Sequence, residues 1–192
     1  MTGQTIATVR WRALEHEGDD TCRLSRVDHG WLLVGHSRFR DADGFAALDY
    51  VVRCDARWRT LGADIAGRHG TREISLRLER NTDGWLLNGD PQPQVVGADD
   101  IDLAFTPATN LMPLRRVMEA PTPRLDTRAA WLRYPNCDLR PLDQTYDAGQ
   151  SAELVSYRAE QTGYATQLCV DHSGFVTLYP GLWEGEVTHE AR

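Results

Sequence analysis

The chain contains no lysine: all 21 of its basic residues are arginine. That absence excludes the phosphate-binding loop, whose glycines lead to a lysine, and it excludes Schiff-base and pyridoxal-phosphate chemistry. The bias toward arginine itself reads as the mark of a GC-rich genome. Long apolar runs are also missing. Nothing approaches the ~18 residues of a membrane span, and Met1–Arg12 has no apolar stretch of the kind that heads a secretory signal. A cytoplasmic location is the expectation. Cysteine is sparse: Cys22, Cys54, Cys137 and Cys169 lie far apart with no C-x-x-C pair. Reduced, buried core thiols are therefore expected.

Catalytic signatures are absent as well. There is no G-x-S-x-G, G-x-G-x-x-G or H-E-x-x-H, so the common hydrolase, dinucleotide and zinc-protease sites are not encoded. The histidines show no ligand spacing, and His29 and His172 fall in hairpin turns. Asp41-x-Asp43-Gly44 resembles the start of a calcium loop, but Val52 stands where the loop's closing glutamate belongs. That segment reads as a hairpin turn. No metal or cofactor is expected. A net charge of −7 argues against nucleic acid and anionic membrane as partners.

What is present is β-structure. The 192 residues are 41% hydrophobic, enough for a core in a single domain spanning 1–192. Thr8–Leu14 alternates, with Val9, Trp11 and Ala13 opposite Arg10 and Arg12. Phe45–Cys54 does the same, with Ala46, Leu48, Tyr50, Val52 and Cys54 on one face. Cys22–Gly35 reads as a hairpin whose return strand opens at Trp31. An ungapped copy follows at Leu76–Gly89, where Arg, Leu, Arg, Gly, Trp, Leu, Leu and Gly recur. We read this as an internal hairpin duplication. Further strands are expected over Trp58–Gly70, Arg128–Tyr134, Asp138–Tyr146, Leu154–Glu160, Tyr164–Asp171 and Phe175–Tyr179. Leu125–Leu132 fits a strand or a helix. Short strands at regular spacing predict an all-β, mainly antiparallel β-roll or incomplete barrel of roughly a dozen strands with little helix.

One segment breaks the rhythm. Gly97–Val117 begins with the alternation of Asp100, Ile101, Asp102 and Leu103, then carries Thr106, Pro107, Thr109, Asn110 and Pro113, and ends in Arg115-Arg116. Its two prolines predict a loop without a helix through the middle. On an extended backbone Asp100 and Asp102 share a face, while Arg115 and Arg116 point to opposite faces. An inward arginine needs a carboxylate or an anionic ligand. An Asp102–arginine pair that locks the loop and a clamp for a phosphate, sulfate or carboxylate head both satisfy that need. Thr106, Thr109 and Asn110 either bond their own backbone or face sugar hydroxyls. Trp31, Trp85 and Tyr179 are aromatic candidates, either for a filled core or for the wall of an apolar cavity. A third reading uses Asp100 and Asp102 as acid and base on a sugar or lipid derivative.

The residues Asp100-Ile-Asp102-Leu, Thr106-Pro-Ala-Thr-Asn110 and Leu111-Met-Pro113-Leu-Arg115-Arg116 resemble a bacterial family of glycolipid-binding proteins, formerly a domain of unknown function. Val170-Asp-His-Ser-Gly-Phe175 through Trp183 and the Gly30-Trp31 and Gly84-Trp85 turns extend the resemblance over nearly the whole chain. Ala98 departs from the pattern, since many members carry cysteine there. The resemblance implies a β-roll similar in shape to exported lipoprotein carriers of lipid, although the expected lack of an export signal here sets the chain apart from them. It implies no catalytic residues. The resulting expectation is a protein that binds an amphipathic small molecule, a glycolipid or an acyl-chain-like ligand. Asp102, Thr106, Thr109, Asn110, Arg115 and Arg116 would stand at the mouth, with Trp31, Trp85 and Tyr179 along the wall.

Overall fold

The structure, a computed structural model, describes residues 3–149, 151 and 153–190. It is built from fifteen strands. The first eight are β1 (Gln4–Ala13), β2 (Gly18–Val27), β3 (Gly30–Asp41), β4 (Gly44–Asp55), β5 (Thr60–His69), β6 (Arg72–Asn81), β7 (Gly84–Leu87) and β8 (Asp90–Pro91). Then come β9 (Asp100–Leu103), the helix α1 (Leu111–Glu119), β10 (Arg124–Arg133), β11 (Asp138–Asp147), β12 (Leu154–Ala159), β13 (Tyr164–Val170), β14 (Val176–Tyr179) and β15 (Trp183–His189).

All fifteen strands form one sheet in the order β8-β7-β6-β5-β4-β3-β2-β1-β15-β14-β13-β12-β11-β10-β9. Every pairing is antiparallel except the parallel β9–β10 pair at one edge. The two edge strands, β8 and β9, are joined by residues 92–99 alone. Laid flat, fourteen strand spacings of ~4.8 Å would separate those edges by about 67 Å. Eight residues reach about 30 Å at most. The connection therefore obliges the sheet to curl into a roll.

The roll is not hydrogen-bonded into a closed barrel. Its seam is held by isolated contacts. Thr60 donates its backbone N–H to the Asp99 carbonyl (3.2 Å), and its hydroxyl accepts from the Ile101 N–H (3.2 Å). The Trp85 indole donates to the Ala98 carbonyl (3.0 Å), and Arg80 reaches the Asp99 carboxylate (3.1 Å).

Alternation places the strand faces as expected. Val9, Trp11 and Ala13 are buried on β1 while Arg10 and Arg12 are exposed. The five inward residues of β4, Ala46 to Cys54, are all buried. Residues 41–44 form the β3–β4 turn, in which the Asp41 carboxylate accepts from the Asp43 N–H. The two related segments both form hairpins, β2–β3 and β6–β7, each entering its return strand through Gly-Trp. Leu125–Leu132 is strand, within β10. All four cysteines are free; Cys22 and Cys54 are buried as expected, but Cys137 and Cys169 are only half-buried.

Gly97–Val117 corrects the loop expectation. A 3-10 turn over Pro107–Asn110 leads directly into α1. Neither proline opposes this. Pro107 opens the 3-10 turn behind Thr106, whose hydroxyl caps the Ala108 N–H at 3.0 Å. Pro113 is the third residue of α1, within the first turn, where an N–H has no intrahelical acceptor to lose. Leu111, Met112, Leu114 and Val117 are buried, so α1 fills part of the roll's interior.

Candidate functional site

Arg116 lies on the inward side of α1 and is fully committed to the fold. Its guanidinium grips both oxygens of Asp100 at 2.7 and 2.5 Å and also donates to the Trp58 carbonyl (2.9 Å) and the Thr127 hydroxyl (3.3 Å). Asp100 is 1% exposed. Burial pushes the Asp100 carboxyl up against the bonds and charge of Arg116, and those of Asp100 raise the guanidinium against its own burial; the two-point grip on both oxygens is the geometry of a charged pair. The expected Asp102–arginine lock is thus an Asp100–Arg116 lock. On a helix, Arg115 and Arg116 stand about 100° apart instead of on opposite faces.

Asp102 takes a different environment. The Gln144 amide donates to it at 2.9 Å and also meets the Tyr157 hydroxyl at 2.9 Å. Burial pushes its pKa up to about 6 against that hydrogen bond. With both Asp100 oxygens held by Arg116, the two carboxyls do not form a free acid–base pair.

Two cavities among the described residues involve the expected site residues. The smaller, about 240 Å³, is walled by Leu103, Trp131, Tyr157, Tyr179 and Trp183, with Asp102, Thr106 and Asn110 as its polar groups. Those polar groups are largely engaged in the frame. Thr106 meets the Tyr50 hydroxyl at 3.2 Å as well as capping Ala108. Asn110 accepts from Tyr146 (2.8 Å) and donates to the Pro107 carbonyl (3.2 Å). Thr109 lines neither cavity; its hydroxyl accepts from the Leu103 N–H at 3.2 Å. Tyr50 also donates to both oxygens of Asp20, which has no exposed surface. Burial raises the Asp20 pKa to about 7, against the bonds from Thr106 and Tyr50.

The larger cavity, about 990 Å³, lies among β1, β2, β3 and β15, with Arg115 of α1 in its wall. Its wall is a four-layer stack. Trp31 and Trp58 lie 4.1 Å apart and nearly parallel. Arg26 covers the outer face of Trp31 at 5.8 Å, and Arg115 covers Trp58 at 5.0 Å. Trp58 holds a left-handed conformation (φ 63°) in the β4–β5 turn, where Asp55 accepts the N–H groups of Arg57 and Arg59. This strained, buried tryptophan fixes the stack.

Arg115 donates to Glu119 (2.6 Å) and to the His172 carbonyl (3.1 Å), while its buried Nε has no hydrogen-bond partner among the described residues. Its stem crosses Gly174, where an added Cβ would come within 2.6 Å of Cδ. Arg26 is exposed and has no ion-pair partner among the described residues. Ile6 and Leu24 supply apolar lining, and Ser173, His172 and His189 stand on the rim.

The expected site therefore divides. Trp31 and Arg115 line the larger cavity; Asp102, Thr106, Asn110 and Tyr179 line the smaller. Thr109, Arg116 and Trp85 belong to the frame. Sequence reasoning passed over Trp58, Arg26, His172 and His189 as cavity residues. Only Trp58 left a local trace, in the Asp55-Ala-Arg-Trp turn that holds it.

Comparison with known proteins adds the family. The family described as "Putative glycolipid-binding" matches residues 8–185. A solved DUF1089 family protein from Pseudomonas aeruginosa is 30% identical, with a TM-score of 0.75, covering 87% of this chain and 91% of its own. A search of curated proteins found no match. With a match over most of its length, the chain belongs to the glycolipid-binding family.

Proposed function

We propose that the chain binds an amphipathic ligand of the glycolipid class in the larger cavity. The observation that carries this reading is the Arg26–Trp31–Trp58–Arg115 stack in the wall of a 990 Å³ opening. Arg115 is paired with Glu119, but Arg26, exposed and without an ion-pair partner among the described residues, leaves one guanidinium at the cavity suited to an anionic or hydroxyl-rich head. The arginines cover the outer faces of the tryptophan pair, so the head meets guanidinium edges instead of stacking on a bare indole. Ile6, Leu24 and the edge of Trp31 give the apolar part of the ligand its surface. The family's description supports the same ligand class.

Native mass spectrometry of the protein purified from its own host tests this reading. A bound lipid or glycolipid, lost on replacing Arg26 and Trp31 by alanine, is the expected result. Consistently bare protein, with no thermal shift from a panel of short-chain glycolipids, would overturn it.

A further inference from the structure

We propose that Asp171, His172 and His189 form a binding site for a divalent transition-metal ion at the rim of the larger cavity. The three side chains come from two elements that the sequence keeps apart. Asp171 and His172 occupy the turn after β13, and His189 closes β15. One oxygen, nitrogen and nitrogen respectively lie within 4.8 Å of one another. The Asp171 Oδ2 stands 3.1 Å from His172 Nδ1 and 3.0 Å from His189 Nε2.

The convergence of this donor set carries the argument, and the separations are consistent with it. Ligands at ~2.1 Å from a metal and 90° apart are about 3.0 Å from each other, whereas tetrahedral ligands are about 3.4 Å apart. The 3.0 and 3.1 Å edges, lengths that hydrogen bonds also span, are compatible with adjacent positions of one ion, and the two imidazole nitrogens lie within 4.8 Å of each other. Two imidazoles and one carboxylate are the donor set of open, divalent transition-metal sites.

The carboxylate is also supported as a ligand would be. Its other oxygen, Oδ1, accepts from the Ser173 N–H at 2.7 Å and from the Ser173 hydroxyl, leaving Oδ2 turned to the imidazoles. The turn is pinned by Asp171 N–H to the Phe175 carbonyl (2.8 Å) and Gly174 N–H to the Asp171 carbonyl (2.8 Å). The two imidazoles stack with centroids 3.9 Å apart. The nearby Arg115 charge is balanced by Glu119, and Glu190 lines the same cavity. Two other histidine–aspartate pairs, His36–Asp49 and His69–Asp41, have no second imidazole beside them among the described residues.

The test needs no lipid, so its failure is separate from failure of the ligand reading. Full-length protein stripped with EDTA is titrated with cobalt(II) at neutral pH and followed by absorbance and calorimetry. One cobalt per chain is expected, with the weak visible bands of nitrogen and oxygen ligands and no intense near-ultraviolet thiolate band. His189→Ala and Asp171→Asn should each weaken binding by at least about 10-fold. His36→Ala should leave it unchanged. If His189→Ala fails to fold, His172→Ala keeps the test open, because its side chain is 78% exposed. Paramagnetic cobalt should broaden the ring signals of His172 and His189 before those of His36. Equal affinity in wild type, His172→Ala and His189→Ala, or uniform broadening of all histidines, would reduce the cluster to hydrogen bonds and overturn the proposal.

Discussion

Arg116 holds both oxygens of Asp100 inside the roll, at 2.7 and 2.5 Å, and so ties α1 to the edge strand β9. Asp100 is 1% exposed and the Arg116 side chain 14%, so the carboxylate depends on the arginine rather than on water. Replacing Arg116 by alanine leaves a buried carboxylate without its partner, at a cost of about 3–5 kcal/mol. Urea denaturation should show that loss, and the double change Asp100→Asn with Arg116→Met should recover most of it. A single Arg116→Ala loss under about 1 kcal/mol would show that the pair is not the lock described.

Asp20 sets a pH dependence of unusual sign. Its folded pKa of about 7 lies above the unfolded carboxyl value near 3.9, so the folded state binds the extra proton between them. The stability that the protonated carboxyl contributes is full below about pH 4 and is lost as pH rises through about 7. Three units correspond to about 4 kcal/mol. Asp102, raised to about 6, adds in the same direction. Asp138 and Asp143, held low by their arginines, titrate below this window. Melting temperatures should therefore fall from pH 4.5 toward pH 8, and Asp20→Asn should flatten much of the slope. An unchanged slope in that variant would place the titration elsewhere.

Gly174 gives Arg115 its seat. Its φ is +98°, and a Cβ there would meet the Arg115 stem at 2.6 Å. Gly174→Ala should cost about 1–3 kcal/mol through backbone strain and displacement of the arginine. A blue or red shift of tryptophan emission should accompany it, because Arg115 covers Trp58. Unaltered stability and emission would mean that the turn relaxes without moving Arg115.

Most strands were legible because each carries its own signal, a period of two ended by a turn; β8 (Asp90–Pro91) and β15 (Trp183–His189) were not among those expected. The open, curled sheet was expected from the many short strands, but the device that curls it, the short 92–99 connection between the edges, is visible only once strand order is known. The helix was missed because two prolines outweighed the pattern Leu111, Leu114, Val117–Met118; both prolines occupy first turns, where they are tolerated. The residue types of the site were legible in part. Trp31 and Arg115 reach the larger cavity, and Arg26 stands opposite Trp31 in the same hairpin, but Trp58 and His189 come from elements remote in sequence.

The central claim, a ligand head held by the arginine–tryptophan stack, is tested most directly by calorimetric titration of a short-chain alkyl glycoside carrying a phosphate group. The wild type should bind one molecule with a negative heat-capacity change. Arg26→Ala should keep its stability within about 0.5 kcal/mol and lose at least about 10-fold in affinity, or about 1.4 kcal/mol. Binding of equal strength in the wild type, Arg26→Ala and Arg115→Ala, or no binding in any of them, would contradict the account.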